Sequence, residues 1–149
     1  MNFSSEQALD RLASNEHGVL ATLHPTRGVD LVPVVYTVVD GHVCVPVDRV
    51  KPKASERLQR ERNLELDPAA TLLIEHWDRT NWSALWWVRA QLRWIDHSQP
   101  GSWVEVANRA VEQLADRFAQ YREPHHNEPP LARILVFDIE AAAGWAAQP

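Results

Sequence analysis

Several things are scarce or missing in this chain, and each absence removes a class of function. Cys44 is the only cysteine, so no disulfide can form within the chain and no zinc site can rest on paired cysteines. Five glycines in 149 residues leave little room for a phosphate-cradling loop, and neither a Gly-x-Gly-x-x-Gly turn nor a Walker loop is present. No Gly-x-Ser-x-Gly elbow marks a nucleophilic serine. The seven histidines include no pair at i, i+4 in a helical segment or i, i+2 in a strand, which argues against a metal site. No apolar run approaches the ~20 residues of a membrane span. The first residues lack the basic start and apolar stretch of a signal peptide. With a formal net charge of −5, nucleic acid is a poor partner. The expectation is a reduced, cytoplasmic protein with no metal, no nucleic-acid partner and no membrane partner.

What remains is an ordinary globular composition, 45% apolar and 23% charged, long enough to bury a core as one domain over residues 1–149. Residues 4–14 read as a short helix, with Ser4 and Gln7 spaced as a capping box. Residues 18–23 read as a strand, 24–28 as a turn, and 30–39 as one long β-branched strand. Asp40-Gly41 then gives a hairpin turn, since both residues tolerate positive φ, and 42–47 is the return strand. Cys44 lies among valines there and reads as a small core hydrophobe. Helical spacing covers 53–66 and stops at Asp67-Pro68. Two more strands are expected at 70–77 and 83–95. A helix capped by Ser102 and Glu105 and carrying apolar residues as far as Tyr121 follows, then a polar loop at 122–130 and a last strand at 132–139. Strands such as 32–39 are apolar on both faces, unlike an open sheet with one wet face. The order predicts a mainly β fold, a small barrel flanked by helices, with one barrel face covered by a second subunit.

Charge is distributed unevenly. Both lysines, Lys51 and Lys53, fall with Arg49, Arg57, Arg60 and Arg62 inside fourteen positions. A cationic patch on an acidic protein suggests a discrete anion, and its place at the start of a helical pattern favours phosphate. The alternative is a solvated helix face balanced by Glu56, Glu61 and Glu65. Tryptophan is the second concentration: six of the seven lie between Trp77 and Trp103. Trp86 and Trp87 are adjacent in a predicted strand and so point to opposite faces. They are either core and interface bulk, or a platform for a planar ring.

Taken in order, these segments resemble the flavin-binding split β-barrel family, the pyridoxamine-phosphate-oxidase-like class, and within it the actinobacterial branch that uses the deazaflavin coenzyme F420. The likeness runs through Gly18-Val19-Leu20-Ala21-Thr22, through Val32-Pro33-Val34-Val35-Tyr36 with Asp40-Gly41, and through Lys51-Pro52-Lys53 with Arg57 and Arg60. It continues in Asn63-Leu64-Glu65-Leu66-Asp67-Pro68, Leu85-Trp86-Trp87-Val88-Arg89-Ala90 and Gly144-Trp145. Gln91-Leu92 stands where the family often has an acidic residue and glycine. The resemblance implies a homodimer with two cofactor sites at the subunit interface and an F420-dependent oxidoreductase acting on a small-molecule substrate. An FMN-dependent enzyme and a non-catalytic binding protein are the alternatives. It further implies that Lys51, Lys53, Arg57 and Arg60 hold a phosphate and that Ser55 donates to it. Val34, Val47 and Asp48 would line the ring site, with Trp86 or Trp87 packed on ring or substrate.

Overall fold

A computed structural model describes residues 1–50 and 57–148. Seven antiparallel strands form one sheet: β1 (His17–His24), β2 (Gly28–Val35), β3 (Thr37–Val39), β4 (His42–Asp48), β5 (Ala69–His76), β6 (Trp86–Trp94) and β7 (Leu131–Ala146). Their spatial order is β2-β1-β5-β6-β7-β4-β3. The two edge strands, β2 and β3, are therefore joined through a single residue, Tyr36. A sheet whose edges are one residue apart must curl round until they meet, so it forms a barrel, and the unbonded β2/β3 seam makes it a split one. The reading of 30–39 as one strand needs correcting accordingly. Tyr36 breaks the run because its backbone N–H goes to Glu16 O at 2.9 Å and its hydroxyl donates to Leu12 O at 2.6 Å. Its ring is fully buried.

Inward-facing Leu20, Val34, Tyr36, Val43, Val45, Val47, Leu72, Ile74, Val88, Leu92, Leu135 and Phe137 fill the barrel. Three helices close it: α1 (Ser5–Ala13), α2 (Gln59–Leu66) and α3 (Trp103–Arg117). α1 adds Ala8 and Leu12 to the core at the end where β1 begins. Its capping box forms as the sequence indicates, Ser4 Oγ accepting from Gln7 N–H and Gln7 Oε1 from Ser4 N–H. α2 sits at the other end, adding Leu64. Asn63, wholly buried, donates to Thr22 Oγ1 at 3.0 Å and Asp30 Oδ2 at 2.9 Å, tying α2 to the β1–β2 hairpin. The Asn-Leu-x-x-Asp-Pro run is thus a plug for the barrel: one residue bonds, one packs, and Asp67 ends the helix. α3 packs Val106, Ala110 and Leu114 on the outer face of β3, β4 and β7, in a second apolar cluster with Val39, Cys44, Ile134 and Val136.

Five further boundaries differ from the expectations, the first being that the strand expected at 83–95 begins only at Trp86, after a 3₁₀ turn at Trp82–Ala84. Within the described residues α2 begins at Gln59, because Leu58 is extended at φ −84°, ψ 155°. Ser102 is itself helical at φ −61°, ψ −18°, so its side chain caps nothing, and Trp103 Nε1–H bonds Gln99 O at 2.8 Å instead. α3 stops at Arg117 where Phe118 turns extended, leaving Tyr121 in a separate 3₁₀ turn. The last strand runs on to Ala146, because β7 pairs with β4 by its first half and with the whole of β6 thereafter. A register shift between Gln91 and Leu92 lets it bend round the barrel between the two. Gly144 is needed on that stretch: a Cβ there would stand 2.5 Å from Phe3 and 2.8 Å from the Trp87 carbonyl.

Candidate functional site

Charged side chains gather where β4 leaves the barrel and α2 crosses its mouth. Arg133 on β7 lies opposite Val47 and gives both its forks to Glu61 of α2, at 2.7 and 2.8 Å. Burial pushes the Glu61 carboxyl up. Hydrogen bonds from Arg133 and from the Leu58 N–H outweigh that and hold it below its ordinary value. Asp48, at the end of β4, accepts from the Tyr121 hydroxyl at 3.2 Å. Burial, with Asp48 alongside, raises the Tyr121 phenol, so it stays a donor. Arg49 pairs with Glu128 at 3.1 Å, and Arg57 with Glu65.

Arg60 is placed differently. It is half-buried, its one hydrogen bond among the described residues is a long 3.5 Å contact to Pro46 O, and its Nε is buried with no partner among them. Burial lowers its pKa, Glu61 and Asp48 work the other way, and the group stays cationic. An arginine with an unsatisfied donor beside a small hollow is a fitting receptor for an anionic oxygen. The hollow, about 160 Å³, is lined by Val35, Asp48, Val50, Phe118, Gln120 and Tyr121. That is below the ~300 Å³ at which ligand pockets begin, so the described residues alone do not enclose a ring system in this hollow.

The residues singled out in the sequence fall into three groups. Lys51, Lys53 and Ser55 lie outside the described residues. Asp48, Arg57 and Arg60 stand around the α2 end of the barrel. Val34 and Val47 sit inside it, 6% and 1% exposed, so only their backbone can line a site. Trp86 and Trp87 are at the opposite end, on the rim of the β5–β6 hairpin. Trp87 pairs with Glu75, six residues along β5 from Ala69 next to α2, a separation of about 20 Å at ~3.4 Å per residue. Trp87 faces outward beneath Arg89, whereas Trp86 turns towards α1 with Arg11 over its ring. Sequence reasoning missed Arg133 and Tyr121. Arg133 had a signal: it is a lone charge inside the apolar run from Leu131 to Phe137. Tyr121 had none, since its approach to Asp48 depends on where α3 ends. Among the described residues no three His, Cys, Asp or Glu side chains gather as for a metal ion.

No protein-family model matches the chain, and no curated protein matches it in sequence. Solved structures do match in fold. A conserved hypothetical protein of Mycobacterium tuberculosis superposes with a TM-score of 0.68 at 21% identity, covering 97% of this chain and 86% of that one. A FAD-binding protein of Mesorhizobium loti gives 0.62 at 15%, covering 97% and 93%. An FMN-binding protein of Syntrophomonas wolfei gives 0.58 at 14%, covering 95% and 84%. The fold class is therefore that of the FMN-binding split barrels, a mainly β sheet of seven antiparallel strands with three flanking helices.

Proposed function

We propose that this protein is an oxidoreductase of the split-barrel class that binds a phosphate-bearing tricyclic cofactor, with coenzyme F420 as the first reading and FMN as the second. The observation that carries the proposal is the Arg60 corner, with a buried donor that has no partner among the described residues and that follows both lysines within nine residues of sequence. Arg60 would take the phosphate, with Lys51, Lys53, Ser55 and Arg57 as the further candidates from the sequence. Asp48 and Glu61 would hold the arginines in place. Neighbours of this fold that bind FAD and FMN support the class of ligand.

The choice of F420 rests on charge. Cations from Arg49 to Arg62 exceed what one phosphate needs, and F420 continues past its phosphate into an acidic tail, whereas FMN ends there. When bound, the cofactor supplies the hydride chemistry, which accords with a chain that offers no evident nucleophile. Its residues would then bind, orient and keep water out.

A second chain completes the reading. Outside the barrel, β1, β2 and β5 present Leu23, Val29, Leu31, Pro33 and Leu73, with Leu31 68% and Val29 55% exposed. In register Ala21 faces Leu31 and Leu23 faces Val29, so these form one continuous patch. A contiguous apolar face of this kind fits a homodimer. It would also resolve the separation between Arg60 and Trp87, which exceeds the five-carbon chain joining ring to phosphate in either cofactor. The phosphate would lie at the α2 end of one protomer and the aromatic contact would come from the other. Equilibrium binding of FMN and F420, read by tryptophan quenching, tests the proposal. Saturable binding of either supports it, and no binding of either refutes it.

A further inference from the structure

The other end of the barrel holds a separate cleft of about 520 Å³ between α1 and β6, lined by Phe3, Gln7, Asp10, Arg11, Asn15 and Trp86. That volume is within the range of small-molecule sites. Arg11 is its one arginine. The guanidinium carbon lies 4.5 Å from the Trp86 ring centroid and 5.5 Å from that of Phe3, so two aromatic rings fix its position. Its N–H groups meet no hydrogen-bond or ion-pair partner among the described residues. The polar neighbours are occupied otherwise: Ser14 Oγ and Asn15 Nδ2 both donate to the Arg11 carbonyl, at 3.1 and 2.7 Å.

Gln7 adds a second donor. It lies four residues before Arg11, on the same face of α1. Its Oε1 accepts the Ser4 N–H at 2.8 Å in the capping box, which assigns that atom as oxygen and leaves the Nε2 amide without an acceptor among the described residues. Two donor groups without a partner among the described residues therefore share a cleft that Phe3 and Trp86 also line. A planar guanidinium held by stacking, with its N–H fork open, matches a carboxylate in geometry as well as charge. Asp10 in the same wall disfavours ligands of higher negative charge by repulsion.

We infer that this cleft binds a small organic monocarboxylate, its carboxylate on Arg11 and Gln7 and its apolar body against Phe3 and Trp86. The site lies about a strand's length from the Arg60 corner and does not depend on the cofactor reading.

Benzoate is the probe. The full chain is titrated with it by NMR, following the Trp86 indole N–H signal, assigned by its disappearance in Trp86→Phe. The expected result is a saturable shift with benzoate and at least tenfold weaker response to benzamide, which has the same shape without the charge. Acetate, which lacks the apolar body, should also bind more weakly, and inorganic phosphate should not compete. Arg11→Gln should weaken benzoate at least tenfold, and Arg11→Lys, which keeps the charge but loses the fork, by less. No saturable shift with benzoate, equal responses to benzoate and benzamide, or undiminished binding in Arg11→Gln would each overturn the inference. A thermal melt establishes that the variants are folded. Should Arg11→Gln fail to fold, the benzoate–benzamide comparison on the unaltered chain decides the matter.

Discussion

Arg60 and Arg62 stand two residues apart on α2 and differ in their surroundings. Arg62 is exposed, while Arg60 is half-buried with an Nε that has no partner among the described residues. Replacing Arg60 by methionine keeps much of the apolar stem and removes the charge. Cofactor affinity is expected to fall about 10- to 100-fold, the ~1.5–3 kcal/mol of a charge-assisted hydrogen bond, with Arg62→Met within about twofold of the unaltered chain. Isothermal titration of both variants checks this, and equal affinities would show that the corner is not the phosphate site. At this scale the sequence carried charge but not pairing. It placed Arg57 and Arg60 in one cluster, yet Arg57 meets Glu65, while Arg60 has a buried Nε without a partner among the described residues. It also offered Val34 and Val47 as ring contacts, although the alternation of their strands turns both side chains into the barrel.

Among the elements, local signals were legible and long-range ones were not. The Ser4–Gln7 box and the Asp40-Gly41 turn, with φ of 48° and 73°, formed as the residue types demand. Ser102 with Glu105 has the same spacing as the first box and caps nothing, because the preceding segment is held by aromatic stacking. There the His97 ring lies on Trp103 with centroids 3.8 Å apart and planes within 6°, and Trp94 packs 5.7 Å away. This sandwich joins the end of β6 to the start of α3. Burial lowers the His97 pKa, and the nearby Asp96 only partly opposes it. The folded chain thus binds the His97 proton less readily than the unfolded one. Stability is complete above the unfolded value of ~6.5 and falls as the pH drops through it towards the lower folded value. Urea melts at pH 7.5 and 5.5 should show lower stability at 5.5, and His97→Gln should reduce that difference. An unchanged difference in the variant would mean that other groups set the pH dependence.

At the level of the whole molecule, the seam between β2 and β3 accounts for much of what the sequence hid. One residue, Tyr36, carries the chain from one edge of the sheet to the other, and only the completed strand order shows that 30–39 is two strands. The curl also turns Leu31, Val29 and Leu73 to the outside. Leu31→Glu should therefore shift sedimentation at micromolar concentration from about twice the 17.0 kDa chain mass to a single chain, with the fold kept. A monomeric unaltered protein would remove the shared-site arrangement.

The most direct measurement of the central claim is competitive binding of F420 and FMN to the ligand-free protein, read by tryptophan quenching at low and high salt. F420 is expected to bind more tightly than FMN, by a margin that shrinks as salt screens the acidic tail. A protein that comes out of purification yellow with stoichiometric FMN, and ignores F420 in competition, would contradict the choice of F420. One that binds neither would contradict the cofactor site altogether.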